Sequence, residues 1–121
     1  MNRTIITAIG IDRPGLVDKI SSIISQNNGN IENSKMIKID DQFAMIIDFS
    51  YLKNIDVIKN DLNNIKELDI TYKNIQNSDT SNKKNKKYLI KGVDDQGIVN
   101  GISNFFSNNN INILEVNTFL E

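Results

Sequence analysis

The chain is predicted to adopt an α+β fold of βαββαβ order, one complete copy followed by a partial second copy. Three observations predict it. Over residues 3–73 the apolar residues alternate between short β-branched runs and helix-spaced stripes. Sliding the chain against itself by 82 residues, which carries Gly15 onto Gly97, lays DRPGLVDKISSIISQNNGNI over DDQGIVNGISNFFSNNNINI without a gap. Between the copies, residues 76–87 (QNSDTSNKKNKK) contain no apolar residue, and such a segment cannot offset the entropy of ordering by burial.

The first element is RTIITAI, a β-branched run that ends at Gly10 and reads as a buried strand. IDRPG follows and holds Pro14, the only proline in the chain. From Gly15 to about Asn28, Leu16, Ile20, Ile23 and Ile24 fall at i, i+4, i+7 and i+8, the stripe of an amphipathic helix, with Asn28-Gly29 as its stop. Ile31, Met36, Ile37 and Ile39 lie on an extended run, Asp40-Asp41 makes a turn, and Phe43 to Phe49 forms the returning strand of a hairpin. Asn54 is a candidate N-cap for a helix carrying Ile55, Ile58, Leu62 and Ile65, and Asp69 to Lys73 closes the copy as a short strand. Two helices on one face of an antiparallel sheet in this order make the ferredoxin-like split βαβ arrangement.

The expected domains are 1–75, a solvated linker at 76–87, and a partial copy at 88–121. The partial copy reads as a strand at 88–93, a helix from Gly97 to about Asn108 with Ile98, Ile102, Phe105 and Phe106 on its apolar face, and a strand at 111–120. Set against the first copy, it lacks a strand, a helix and a further strand. Either the chain is a fragment of a longer protein or another chain completes the fold.

Composition narrows the chemistry. A formal net charge of -1 and a pI near 5.4 argue against a surface built to neutralise phosphates, so direct DNA binding is not expected. The absence of cysteine and histidine removes disulfides, thiol nucleophiles, the commonest metal ligand and the commonest general base. No catalytic residue, metal site or cofactor is expected, and the chain reads as a non-enzyme. The N-terminal apolar run is too short for a signal peptide and no stretch approaches a membrane span, which makes cytoplasmic the expected location.

The IDRPG turn hands a strand over to a helix, whose first N–H groups lack intrahelical acceptors and favour anions. Gly15 allows close approach, and Pro14 sets φ near the helix start. A carboxylate docked on this turn, with Asp12 and Asn30 accepting from an ammonium, would suit a free α-amino acid. The candidate ligand-binding residues are Asp12, Arg13, Pro14, Gly15, Leu16, Asn30 and Ile31, with Asp94, Gly97 and Asn112 in the second copy. The same residues also serve local structure, Asp12 as an N-cap and Pro14, Gly15 and Asn30 as turn residues, and physics alone favours that plainer reading. The repeat keeps Asp, Gly and Asn but not Arg13 and Pro14, which are replaced by Asp95 and Gln96.

TAIGIDRPGLVDKISSIISQNNGNIENSKM resembles the first ACT domain of glycine cleavage system transcriptional repressors and of related amino-acid-binding proteins. The resemblance covers residues 3–73, with DRPG, NIE and Ser34 its most specific parts, and residues 88–120 resemble the start of a second such domain. It implies a regulatory module that pairs side by side, as a homodimer or in tandem, and binds an amino acid at the junction, glycine or serine first. It further implies action through a protein partner such as a transcriptional activator. The family's ligand contacts, polar first-loop residues and an Asn opening the second strand, fall on Asp12 and Asn30. Gly10 stands where some feedback-regulated members have a ligand-contacting histidine. Formyltetrahydrofolate deformylases open with the same signature and continue into a hydrolase domain, for which no signature is present here. A regulatory fragment of such an enzyme, or a ligand-free pairing module, are the alternative readings.

Overall fold

The computed structural model describes residues 2–52, 54–75, 85–91 and 97–118; Asp94 and most of the expected linker lie outside them. The chain divides into two units, Met1–Ser81 and Asn82–Glu121, the division falling within the expected linker.

The first unit runs β1 (Asn2–Ile11), α1 (Leu16–Gln26), β2 (Asn30–Ile39), β3 (Gln42–Tyr51), α2 (Ile55–Asn63) and β4 (Leu68–Ile75). Strands extend up to two residues past their apolar stretches, because ladder hydrogen bonds are made by backbone and need no apolar side chain. The four strands form an antiparallel sheet in the order β2-β3-β1-β4. The expected ferredoxin-like arrangement is therefore present, with β1 and β3 central and β2 at an edge.

The period of two along the strands decides the core. Thr4, Ile6 and Ala8 of β1 and Phe43, Met45, Ile47, Phe49 and Tyr51 of β3 are buried together with Leu16, Ile20 and Ile24 of α1 and Ile58 and Leu62 of α2. Thr4 is the polar exception on β1. Its hydroxyl donates to Asn74 Oδ1 at 3.0 Å and lies 3.1 Å from the Tyr51 hydroxyl, which satisfies it inside the core. Ile9, Ile11, Ile37, Ile39 and Ile46 alternate with the core positions and are exposed on the opposite sheet face.

Asn54 caps α2 as expected, its Oδ1 accepting from the Asp56 N–H at 3.0 Å. Asn54→Ala is expected to lower stability by about 1 kcal/mol, read as a lower urea midpoint with an unchanged slope.

The second unit has one regular element among its described residues, α3 (Ile98–Asn108). The helix forms where expected, but described residues 88–91 and 111–118 of the two expected strands are not in a ladder. Sheet hydrogen bonds need a neighbouring strand, and in the first unit β1 and β2 both pair with β3 rather than with each other. Among the described residues no helix is long and apolar enough to cross a membrane.

Candidate functional site

The turn between β1 and α1 is built on Gly15, which caps α1 in the left-handed region at φ 83°. Pro14 and Gly15 take the turn roles expected of them, whereas the N-cap role expected of Asp12 does not hold. Asp12 is not the N-cap, and Pro14 precedes the cap instead of opening the helix. The helix begins at Leu16, three residues after Arg13, and no side chain caps its first turn. A Cβ at Gly15 would meet nothing within 4 Å, so Gly15→Ala should cost only its backbone strain, about 1–2 kcal/mol. A thermal melt checks this, with α1 contacts retained.

Asp12 belongs to the hairpin side of the turn. Its N–H donates to the Asp41 carbonyl at 2.9 Å, and its carboxylate meets Lys38 Nζ at 3.4 Å. Arg13 reaches the other way, its Nη2 donating to the Lys66 carbonyl at 3.0 Å. Beside this bond lies an open depression of about 360 Å³ lined by Arg13, Pro14, Gly15, Leu16, Lys19, Asn64 and Lys66. Three cationic residues and the start of α1 line it, and Asp12 is not among its lining residues. The Leu16 side chain is 3% exposed and belongs to the core, so its share in the site is its backbone.

Asn30 and Ile31 are not brought to this depression. β2 runs parallel to β1, so Asn30 lies level with Arg3 through Ser50, while Asp12 follows the opposite end of β1. The ten residues of β2, at about 3.3 Å each, place Asn30 about 30 Å from the turn. There the register shifts between Ile31 and Asn33, leaving Glu32 as a bulge. Its Oε1 accepts from Asn30 Nδ2 at 3.1 Å and from the Ser50 hydroxyl at 2.8 Å. Ile31 packs against the core. In the second unit Gly97 caps α3 with φ 89°, as Gly15 caps α1, and Asn112 is exposed in an irregular segment.

The sequence reading missed Lys19, Asn64, Lys66 and Glu32. Lys19 is legible, since it lies one helical turn beyond Gly15 and its N–H donates to the Gly15 carbonyl at 2.9 Å. Asn64 and Lys66 carry no local signal and arrive only through the packing of the α2–β4 connection.

The family model for the ACT domain matches residues 2–73. A UPF0237 protein of Methanopyrus kandleri is 45% identical over 47 residues, covering 39% of this chain and 52% of the relative. The chain thus spans about half the length of the curated relatives it first matches. Among solved structures, a proposed glycine cleavage system transcriptional repressor superposes with a TM-score of 0.66 at 17% identity, over 96% of this chain and 70% of that one. A formyltetrahydrofolate deformylase of Burkholderia mallei superposes with a TM-score of 0.57 at 11% identity, over 61% of this chain and 28% of the enzyme. At these identities the structural likeness is one of fold.

Proposed function

Because the chain belongs to the ACT domain family, matched over residues 2–73, we propose that it is a regulatory module that binds a free α-amino acid, glycine or serine first, and passes occupancy to a protein partner. The observation that carries this reading is the cationic depression at the α1 N-terminus. A carboxylate placed there meets Arg13, Lys19, Lys66 and the first-turn N–H groups, and charge-assisted bonds of this kind are about twice as strong as neutral ones.

The ammonium needs oxygen acceptors, and within one domain Asp12 and Asn30 are at opposite ends. Pairing offers a way to join them. β2 is an edge strand, and antiparallel pairing of two β2 edges would lay Asn30 of one domain beside Lys38 and Ile39 of the next. Asp12 is bonded to Lys38 at that end. The amino-acid site would then be complete only at the junction of two domains, which couples ligand binding to assembly.

Calorimetric titration of the chain with glycine, serine and other amino acids tests the reading. Lys19→Glu combined with Lys66→Glu should weaken binding by about 10–100-fold, equivalent to one or two bonds to a charged group, while the melting temperature stays close to that of the parent. Asn30→Ala should weaken binding and leave the domain folded. Absence of heat and of any thermal shift with every amino acid tried would remove the sensor reading. A ligand-free pairing module would then stand, a reading favoured by the in-domain partners that Asp12 and Asn30 already have.

A further inference from the structure

The chain contains two Asn-Gly pairs, Asn28-Gly29 and Asn100-Gly101. Glycine has no side chain to hinder its backbone nitrogen from attacking the carboxamide before it, so this dipeptide rearranges without a catalyst more readily than other asparagine pairs. By sequence the two pairs are equals. Their surroundings differ.

Asn28-Gly29 closes α1 and leads into β2. Asn28 stands at φ 59°; its N–H donates to the Ser25 carbonyl at 3.1 Å, and the Gly29 N–H donates to the Ile24 carbonyl at 2.8 Å. Asn27 ties the same turn down, its Nδ2 donating to the Ile23 carbonyl at 2.8 Å and to Asp61 Oδ2 at 3.2 Å. A Cβ at Gly29 would stand 2.7 Å from Ile24 Cγ2 and 2.9 Å from the Ile24 carbonyl oxygen, and Ile24 is buried. Asn30, the next residue, is already paired with Ser50 in the β2–β3 ladder. The nitrogen that must attack is thus held between the core-packed end of α1 and the first pair of β2, although the Asn28 side chain is exposed. Asn100-Gly101 lies in the first turn of α3. The Gly101 N–H donates to the carbonyl of the cap residue Gly97 at 2.8 Å, a bond that opens when the helix end frays. A Cβ at Gly101 would meet nothing within 4 Å, and Asn100 is exposed.

We propose that both pairs are sites of spontaneous deamidation whose order is set by the fold: Asn100 converts in the folded chain, and Asn28 converts only when the turn between α1 and β2 opens. In each, the glycine nitrogen gives up its proton to solvent base and bonds to the asparagine Cγ. The Cγ–Nδ2 bond breaks, and ammonia leaves with a proton from solvent, closing a cyclic imide. Water then opens the imide at either carbonyl. Cleavage of the new Cγ–N bond gives aspartate, and cleavage of the original peptide C–N bond gives isoaspartate. The net change is amide plus water to acid plus ammonia, with no electron transferred. At position 28, isoaspartate carries the main chain through Cβ and lengthens it by one methylene directly before β2. The Gly29–Ile24 bond and the Asn30–Ser50 pair are then out of step, so conversion at Asn28 is a one-way mark of an opened turn. The proposal needs no ligand and stands apart from the amino-acid reading.

Incubation of the 121-residue chain at mildly alkaline pH, with and without urea, tests it by peptide mapping with mass spectrometry that separates aspartate from isoaspartate. In urea the two pairs should convert at similar rates. Without urea, conversion at Asn28 should be at least about tenfold slower than in urea, the factor set by the population of the opened turn, and slower than at Asn100. Asn27→Ala, which removes the bonds to Ile23 and Asp61 without touching the reacting atoms, should speed conversion at Asn28 and leave Asn100 unchanged. Amide exchange at Gly29 is the independent readout, and it should quicken in the same variant by a similar factor. Conversion at Asn28 in the folded chain as fast as in urea, or faster than at Asn100, overturns the proposal. So does an absence of conversion in urea, or an Asn27→Ala chain in which Gly29 exchange quickens and conversion at Asn28 does not.

Discussion

Phe49→Ala is expected to lower the unfolding free energy of the first unit by about 3–5 kcal/mol, enough to leave a domain of this size substantially unfolded at 37 °C. Phe49 is fully buried, and its ring lies 5.8 Å from that of Tyr51 at an interplanar angle of 45°. It also faces Ile31 across the β2 ladder and Thr4 across the β1 ladder, so truncation opens a cavity bordered by two strands that cannot close together. Ile46→Ala is the control. Ile46 lies on the same strand but on the opposite face and is 44% exposed, so its truncation should cost less than about 1 kcal/mol. Urea unfolding followed by amide exchange in β1 and β3 separates the two outcomes. Equal losses would contradict the assignment of faces.

Gly10→Ala should cost about 1–3 kcal/mol, the range for overpacking a filled site. A Cβ at Gly10 would stand 2.5 Å from the Glu67 carbonyl oxygen and 3.2 Å from Leu68 Cδ1. The first contact is with backbone, and Glu67 holds a positive φ of 64° at the entry to β4, so relief requires the β1–β4 ladder to shift. For a domain of under 100 residues that loss is about 5–20 °C in melting temperature, read by calorimetry, and larger side chains at this position should cost more. Position 10 is therefore closed by packing, and a longer side chain there would need a displaced β4.

Legibility in the sequence followed the range of the interactions concerned. Helices α1, α2 and α3 are visible because their stripes repeat within a few residues and their caps, Gly15, Asn54 and Gly97, sit at the first turn. Strand β1 is visible as a β-branched run ending at Gly10, and β3 as the apolar run that returns after the Asp40-Asp41 turn. The Glu32 bulge is not, since β2 is largely exposed and its register depends on the Ser50 hydroxyl of the neighbouring strand. Arg13 is a candidate ligand-binding residue from sequence, but its bond to the Lys66 carbonyl joins residues 53 apart in sequence and has no local signal.

The sequence by itself determined the order of elements, the βαββαβ class and the recurrence of the Gly-capped helix 82 residues on, because periodicity and capping are near-neighbour properties. The tertiary structure alone decided where those pieces meet. It separated Asp12 from Asn30 by the length of β2, placed Lys19 and Lys66 beside the α1 N-terminus, and left the described residues flanking α3 without a ladder. The reason is common to all three. Strands acquire neighbours, and sites acquire their distant walls, only through backbone pairing and packing between parts of the chain that no local pattern connects.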